Sequence, residues 1–309
     1  MRQPRIIAIG DAVCDKYLSR GKMYPGGQCV NTCAYAHMNN AESAFLGKFG
    51  NDEVAECIQA ALKNMNVDFS HSRNYEGENG FACVTLNQGD RVFIGSNHGG
   101  VAKEYPYDFT QEDFSYIRKF DLIYTNLNAY IDDDIEEIAS LGLPVAFDFS
   151  NRWTDEYLKK ICPHIKVAML SCAHLSNKER EREMNKVKEL GVPFVLGTIG
   201  EAGSYILYHG EMMYGKAAEV LCKLFVKAES IMDTMGAGDS YFATFLTYIL
   251  RHKEPEFFKE ESKDDGNVKE LLKKAMQAGA EFASKICGVE GAFGYGTPIA
   301  GRIIDNRNN

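Results

Sequence analysis

The chain has 309 residues, of which 45% are hydrophobic and 25% charged, and its net charge is −9. That is the make-up of a water-soluble protein with a substantial core, and the acidic balance without a local basic patch argues against a nucleic-acid partner. The one cation-rich stretch, Lys178–Lys188, interleaves its lysines and arginines with glutamates and reads as a solvated helix face.

In chain order, "RIIAIG" (Arg5–Gly10) reads as a buried strand. Beyond Gly26 and Gly27, Val30, Cys33, Ala34, His37 and Met38 recur at helical spacing. "SAFLG" reads as a short strand. Val54, Cys57, Ile58, Ala61, Leu62 and Met65 form the stripe of a helix opened by Asp52 and Glu53. "FACVTLNQGDRVFIGS" reads as a hairpin. From residue 121 strands alternate with helices: "DLIYTNL", "PVAFDFS", "VAMLSC" and "FVLGTIG" against "DDDIEEIASLG", "DEYLKKIC" and "NKEREREMNKVKELG". Such alternation predicts a mostly parallel sheet covered by helices on both faces. A second hairpin, "SYILYHGEMMYG", follows. Lys253–Asn267 reads as a charged surface loop, and Ala275, Gly279, Phe282, Ala283 and Ile286 mark a final helix. No boundary divides the chain, so residues 1–309 are expected to form one domain. Two strand-rich excursions, about 14–24 and 75–100, are expected to form a small accessory sheet.

Nine scattered cysteines with no CxxC pair favour reduced thiols. The N-terminal stretch lacks the apolar core of a signal peptide, and no apolar run reaches membrane-spanning length. The expectation is a cytoplasmic protein without a membrane partner.

The stretch "DTMGAGDSYFATFLTYIL" (Asp233–Leu250) carries the chemistry. Phe242, Phe245, Leu246, Ile249 and Leu250 form the apolar face of a helix whose start is Gly236, Ala237 and Gly238. A helix N-terminus offers unpaired N–H groups and partial positive charge, and small residues let an anion approach them. Asp239 in the first turn is either a simple helix-stabilising acid or a general base beside a phosphoryl site. The spacing fits neither a P-loop nor a dinucleotide fingerprint.

Four stretches together resemble the ribokinase-like (PfkB) carbohydrate kinases: "IGDAVCDKY", "GGQCVNTCAYA", "LGTIGEAGSYI" and "DTMGAGDSYFATFL". They occur in the family's order over essentially the whole chain. "FDFSNRW" and "GAFGYG" look most like the branch that phosphorylates fructosamines such as fructoselysine. The resemblance implies a ribokinase-like three-layer α/β sandwich with a mostly parallel central sheet and a small β-lid. It implies ATP and Mg2+ as cofactors, and a primary hydroxyl of a ketose or fructosamine as acceptor. By match of position, Asp239 is the catalytic base, and Gly236, Ala237 and Gly238 form the anion hole. Asp11, Asp15, Gly26, Gly27 and Asn31 face the sugar. Thr198, Gly200 and Gly203 lie on the nucleotide side, and Asp233 matches a carboxylate that helps bind a monovalent cation such as K+. Lid strands in this architecture often pair between chains, which implies a homodimer.

The chain departs from the family where an Asn-x-x-Glu is usual. Ser171 and His174 stand there, with Asn177 and Glu179 as offset substitutes. Alone, Asp11 reads as a turn cap, while His98 and Asn97 read either as turn residues or as contacts to a substrate tail, and Arg91 either meets an anionic or polar substrate group or pairs with Asp90. Trp153 is either a cleft wall or a plug over the core. Fructose, another sugar or a nucleoside stand as alternative substrates. A non-catalytic ligand-binding protein on the same fold is the reading from another class.

Overall fold

In this computed structural model the described residues are 2–87, 90–218, 233–259 and 265–305. The central sheet is built from strands that are apolar on both faces. β1 (Arg5–Gly10) turns Ile6 and Ala8 to one side and Ile7 and Ile9 to the other, all four fully buried. That double burial demands helices above and below. α1 (Gln28–Met38), α2 (Glu53–Asn64), α8 (Ala237–His252) and α9 (Asp265–Ile286) cover the first face. α4 (Gln111–Ile117), α5 (Ile135–Ser140), α6 (Asp155–Ile161) and α7 (Asn177–Glu189) cover the second. The short α3 (Val101–Glu104) precedes α4.

Nine strands lie in the order β13-β12-β11-β10-β9-β8-β1-β4-β5. These are β4 (Glu42–Phe49), β5 (Arg73–Asn74), β8 (Leu122–Asn126), β9 (Val145–Asp148), β10 (Val167–Ser171) and β11 (Phe194–Thr198), with β12 (Ser204–Tyr208) and β13 (Glu211–Gly215) at one edge. All neighbours pair in parallel except β11–β12 and β12–β13. A second sheet, ordered β14-β3-β2-β6-β7, stands over the strand ends. It contains β2 (Val13–Tyr17), β3 (Lys22–Gly26), β6 (Gly80–Asn87), β7 (Asp90–Ser96) and β14 (Thr297–Pro298).

Several local expectations need correction. β4 runs eight residues rather than the short "SAFLG", because it pairs with β1 along its length up to Gly47. Pro255–Phe258 is a 3-10 turn rather than open loop: Phe258 is fully buried against Phe194, so this polar stretch carries one core anchor. The final helix starts inside the same stretch, at Asp265. α4 was not foreseen, although Thr110 and Asp113 form a capping box at its start. β14 was also missed, since two residues give no period to read. The eight cysteines among the described residues are free thiols, while Cys222 and the Arg91 side chain lie outside the described set. No helix among the described residues is long and apolar enough to cross a membrane.

Candidate active site

From β1 the chain first adds β4 on one side, and β8 is later laid on the other. The crevice beyond the carboxyl ends of β1 and β8 is therefore a topological switch point, where α/β sheets bind ligands. A cavity of about 820 Å3 opens there, between the strand ends and the lid sheet.

Asp11 follows β1 and is buried. Its carboxylate accepts from the amides of Gln28 (2.8 Å) and Cys29 (3.1 Å), and from Asn126 Nδ2 (2.7 Å). Gly27, which precedes α1, has no side chain to cap the helix, so Asp11 supplies the cap from another strand. Gly27 takes φ 96°, and a Cβ there would lie 2.9 Å from Asp11 Oδ2. Asp15, on β2, is buried in the cavity wall. Gly26 keeps room beside it: a Cβ would sit 3.3 Å from Asp15 Oδ2 and 3.6 Å from Asn31 Oδ1.

Asn31 joins the two halves of the site. Its Nδ2 donates to Asp239 Oδ2 at 2.7 Å, and its Oδ1 is buried with no hydrogen-bond partner among the described residues. Asp239 stands in the first turn of α8. The preceding Gly236 is left-handed at φ 73°, packed so closely that a Cβ would come within 2.1 Å of the Tyr35 hydroxyl oxygen. The helical ladder starts with Ser240 N on Gly236 O (2.8 Å), while Ala237 N turns back to Thr234 O. Gly238 is exposed. Asp233 shapes the turn from below. Fully buried, it accepts from the Tyr17 hydroxyl (2.5 Å), Met235 N (3.0 Å) and Gly291 N (3.2 Å).

One carboxyl group escaped the sequence reading. Asp148, the last residue of β9, is buried beneath the cavity floor. Burial, then the charge of Asp239, pushes its carboxyl up to about 8, against the opposing hydrogen bonds from Ser150 N and the Gln28 side chain. Gln28 Oε1 accepts from Asn128 Nδ2 (2.8 Å), and Asn128 Oδ1 from Arg152 (2.6 Å). A polar chain thus runs from the floor to the rim. His98, Tyr130 and Ser150, all lining the cavity, hold positive φ between 53° and 56° without being glycine. Backbone strain of this kind gathers at functional sites.

The PfkB family profile, described as "pfkB family carbohydrate kinase", matches residues 5–296. This chain belongs to that family. The kinase is 36% identical over 295 residues to the fructosamine kinase FrlD of Bacillus subtilis, covering 95% of this chain and 94% of that protein. It is 28% identical over 241 residues to the fructoselysine 6-kinase of Escherichia coli, covering 78% and 87%. The ribokinase fold is shared with Arabidopsis thaliana ribokinase complexed with ribose and ATP, at TM-score 0.73 and 20% identity, covering 94% and 95%. Xylella fastidiosa fructokinase with bound ATP superposes at TM-score 0.74 and 16% identity, covering 94% of each chain.

Within the kinase, Asp11, Asp15, Gly27, Asn31, Gly236 and Asp239 share one cavity. Ala237 and Gly238 adjoin it in the same helical turn, whereas Thr198, Gly200 and Gly203 lie apart at the end of β11. Gly203 is held at φ 107° in a tight turn, Ile199 N donating to its carbonyl, and a Cβ there would strike Gly215 O at 2.4 Å. The offset Asn177 and Glu179 are engaged locally. Glu179 closes the capping box of α7 with Ser176, and Asn177 Oδ1 accepts from Arg180. Trp153 donates to Glu183 and tilts against His174, walling a separate cleft of about 290 Å3. Asn97 serves the lid itself, bonding Phe81 N and Asn79 O.

Proposed function

We propose that this carbohydrate kinase transfers the γ-phosphoryl group of ATP to a primary hydroxyl of a ketose or fructosamine, with fructoselysine the first choice. The observation that carries the reading is the Asn31–Asp239 contact. It sets a carboxylate at a glycine-rich helix start within the same cavity as Asp11 and Asp15. Asp239 takes the proton of the attacking hydroxyl, and Asn31 holds the carboxylate in place. The Gly236–Gly238 helix start stabilises charge on the transferring group. Asp11, Asp15 and Asn31 Oδ1 accept from sugar hydroxyls, a task carboxylates suit because each offers several acceptor positions. The fructosamine preference is supported by the likeness to FrlD and to fructoselysine 6-kinase.

ATP use is supported by the nucleotide-bound relatives of the same fold, with Thr198, Gly200 and Gly203 on the nucleotide side. Among the described residues no three His, Cys, Asp or Glu side chains converge as a metal cage. That suits a Mg2+ ion that arrives on the nucleotide phosphates and retains its waters. Bound, it would draw charge from the phosphates. For K+, Asp233 already accepts three donors, so backbone carbonyls would supply most ligands. The lid excludes water from the transfer. A homodimer belongs to the same reading, because among the described residues β7 is one edge strand of the lid sheet and exposes Phe93 (58%).

The test is ADP release from Mg–ATP with fructoselysine, fructose, ribose and adenosine, with Asp239→Asn beside the wild type. Fructoselysine should give the fastest release, and the variant should lose on the order of 10²–10⁴-fold in kcat. Release with no acceptor in the panel, or a variant as active as the wild type, would sink the proposal.

A further inference from the structure

Three carboxylates, those of Asp11, Asp15 and Asp239, line the cavity and make its wall acidic. Arg152 is the only arginine or lysine among its described lining residues. It is exposed on the rim, one turn beyond β9. A single guanidinium nitrogen is spent on Asn128 Oδ1 at 2.6 Å, and among the described residues the group pairs with no carboxylate. Asn128 is itself locked, its Nδ2 donating to Gln28 and its backbone N to Asn126 Oδ1 (2.7 Å). A planar fork of five donors is therefore aimed and held by one edge, with its remaining N–H groups unused.

The position of this fork relative to the base matters. Asp239 is bound to Asn31 and Arg152 is tied through Asn128 to Gln28. Gln28 and Asn31 are three residues apart on α1, about one turn. The base and the guanidinium are therefore anchored about one turn apart along one helix. The rim at Arg152 is completed by Tyr130, whose hydroxyl donates to His98 O (2.6 Å) on the lid side. Asp239 and this rim line the same cavity, so one bound molecule can meet both.

We propose that Arg152 is a specificity residue that binds the carboxylate of the amino-acid portion of the substrate. The proposal rests on the fructosamine reading above. A fructosamine of an amino acid brings both charges the cavity complements. Its secondary ammonium lies at the acidic wall, and its carboxylate meets the fork. A bidentate guanidinium–carboxylate pair is the strong form of such a contact. An unsubstituted ketose has neither group and leaves Arg152 idle.

The experiment compares two acceptors that differ by one carboxylate: fructoselysine and the fructosamine of cadaverine, with fructose as a third. Steady-state kcat/KM is measured for each with the wild type and with Arg152→Met. The wild type should favour fructoselysine over the cadaverine adduct by about ten- to a hundredfold, mostly through KM. In the variant that ratio should fall towards one. Because the readout is a ratio within one preparation, a partly unfolded variant does not mimic the effect. A wild-type ratio near one overturns the proposal. So does a ratio that Arg152→Met leaves unchanged, including an equal loss on both adducts. If neither adduct is phosphorylated while fructose is, the fructosamine reading itself has failed, a result distinct from either of these.

Discussion

Asp148 and Asp239 are two neighbouring acids in contrasting surroundings. Asp239 is half-exposed and receives Asn31; Asp148 is sealed under the floor and holds its proton up to about pH 8. The consequence for stability has a definite sign. In the unfolded chain Asp148 loses its proton near the usual carboxylate value of about 4. Between about pH 4 and about pH 8 the folded state thus binds one proton more than the unfolded state. Stability from this residue falls as pH rises through that window, by about 1.4 kcal/mol per pH unit, and levels off above it. Asp148→Asn keeps the shape without the charge, so the variant should gain on the wild type from pH 4 to pH 8 in chemical denaturation. Parallel pH profiles for the two proteins would refute this account.

At the scale of elements, the site depends on where two helices begin. α1 starts at a residue that cannot cap it, and α8 starts at a left-handed glycine pressed onto Tyr35. Gly236→Ala should therefore cost more than backbone strain alone, because the added carbon collides with the hydroxyl that Tyr35 donates to Ala292 O. Gly142 shares the positive φ (83°) but has nothing within reach of a Cβ. Strain of the kind they share is worth about 1–3 kcal/mol. Thermal unfolding should show Gly236→Ala clearly below Gly142→Ala, with kcat reduced only in the former. Equal losses in the two variants would remove the collision from the explanation.

Elements were legible in the sequence where a period ran long enough. The four parallel strands after residue 121 and the stripe of α2 were read from hydrophobic spacing alone. The helix start at Gly236–Asp239 could be read because glycines and an acid there have a local meaning. Asp148, Gln28, Asn126 and Asn128 could not be assigned, since their roles arise only when the ends of β8 and β9 meet α1 in space. Phe258 was hidden for the opposite reason, one buried ring in a run of charges. Asp11 shows how a local and a distant reading coincide: it does cap, but the helix it caps begins seventeen residues later.

At the scale of the molecule, the lid sheet carries the proposed pairing of two chains. Its outer edge is β7, with Val92 and Phe93 uncovered. Light scattering at working concentration should give twice the chain mass, and a monomer would dismiss the paired-lid arrangement. The lid's inner fastening has a different implication. Lys16 is fully buried in β2, with its ammonium over the Phe81 ring and donating to the carbonyls of Ala300 (2.7 Å) and Arg302 (2.8 Å). Those acceptors lie 284 and 286 residues further along the chain. A lysine so enclosed cannot be satisfied until they arrive. The strand that carries Asp15 is thus fastened by a segment far along the chain, and loosening residues 300–302 would leave a buried ammonium in that strand without its acceptors.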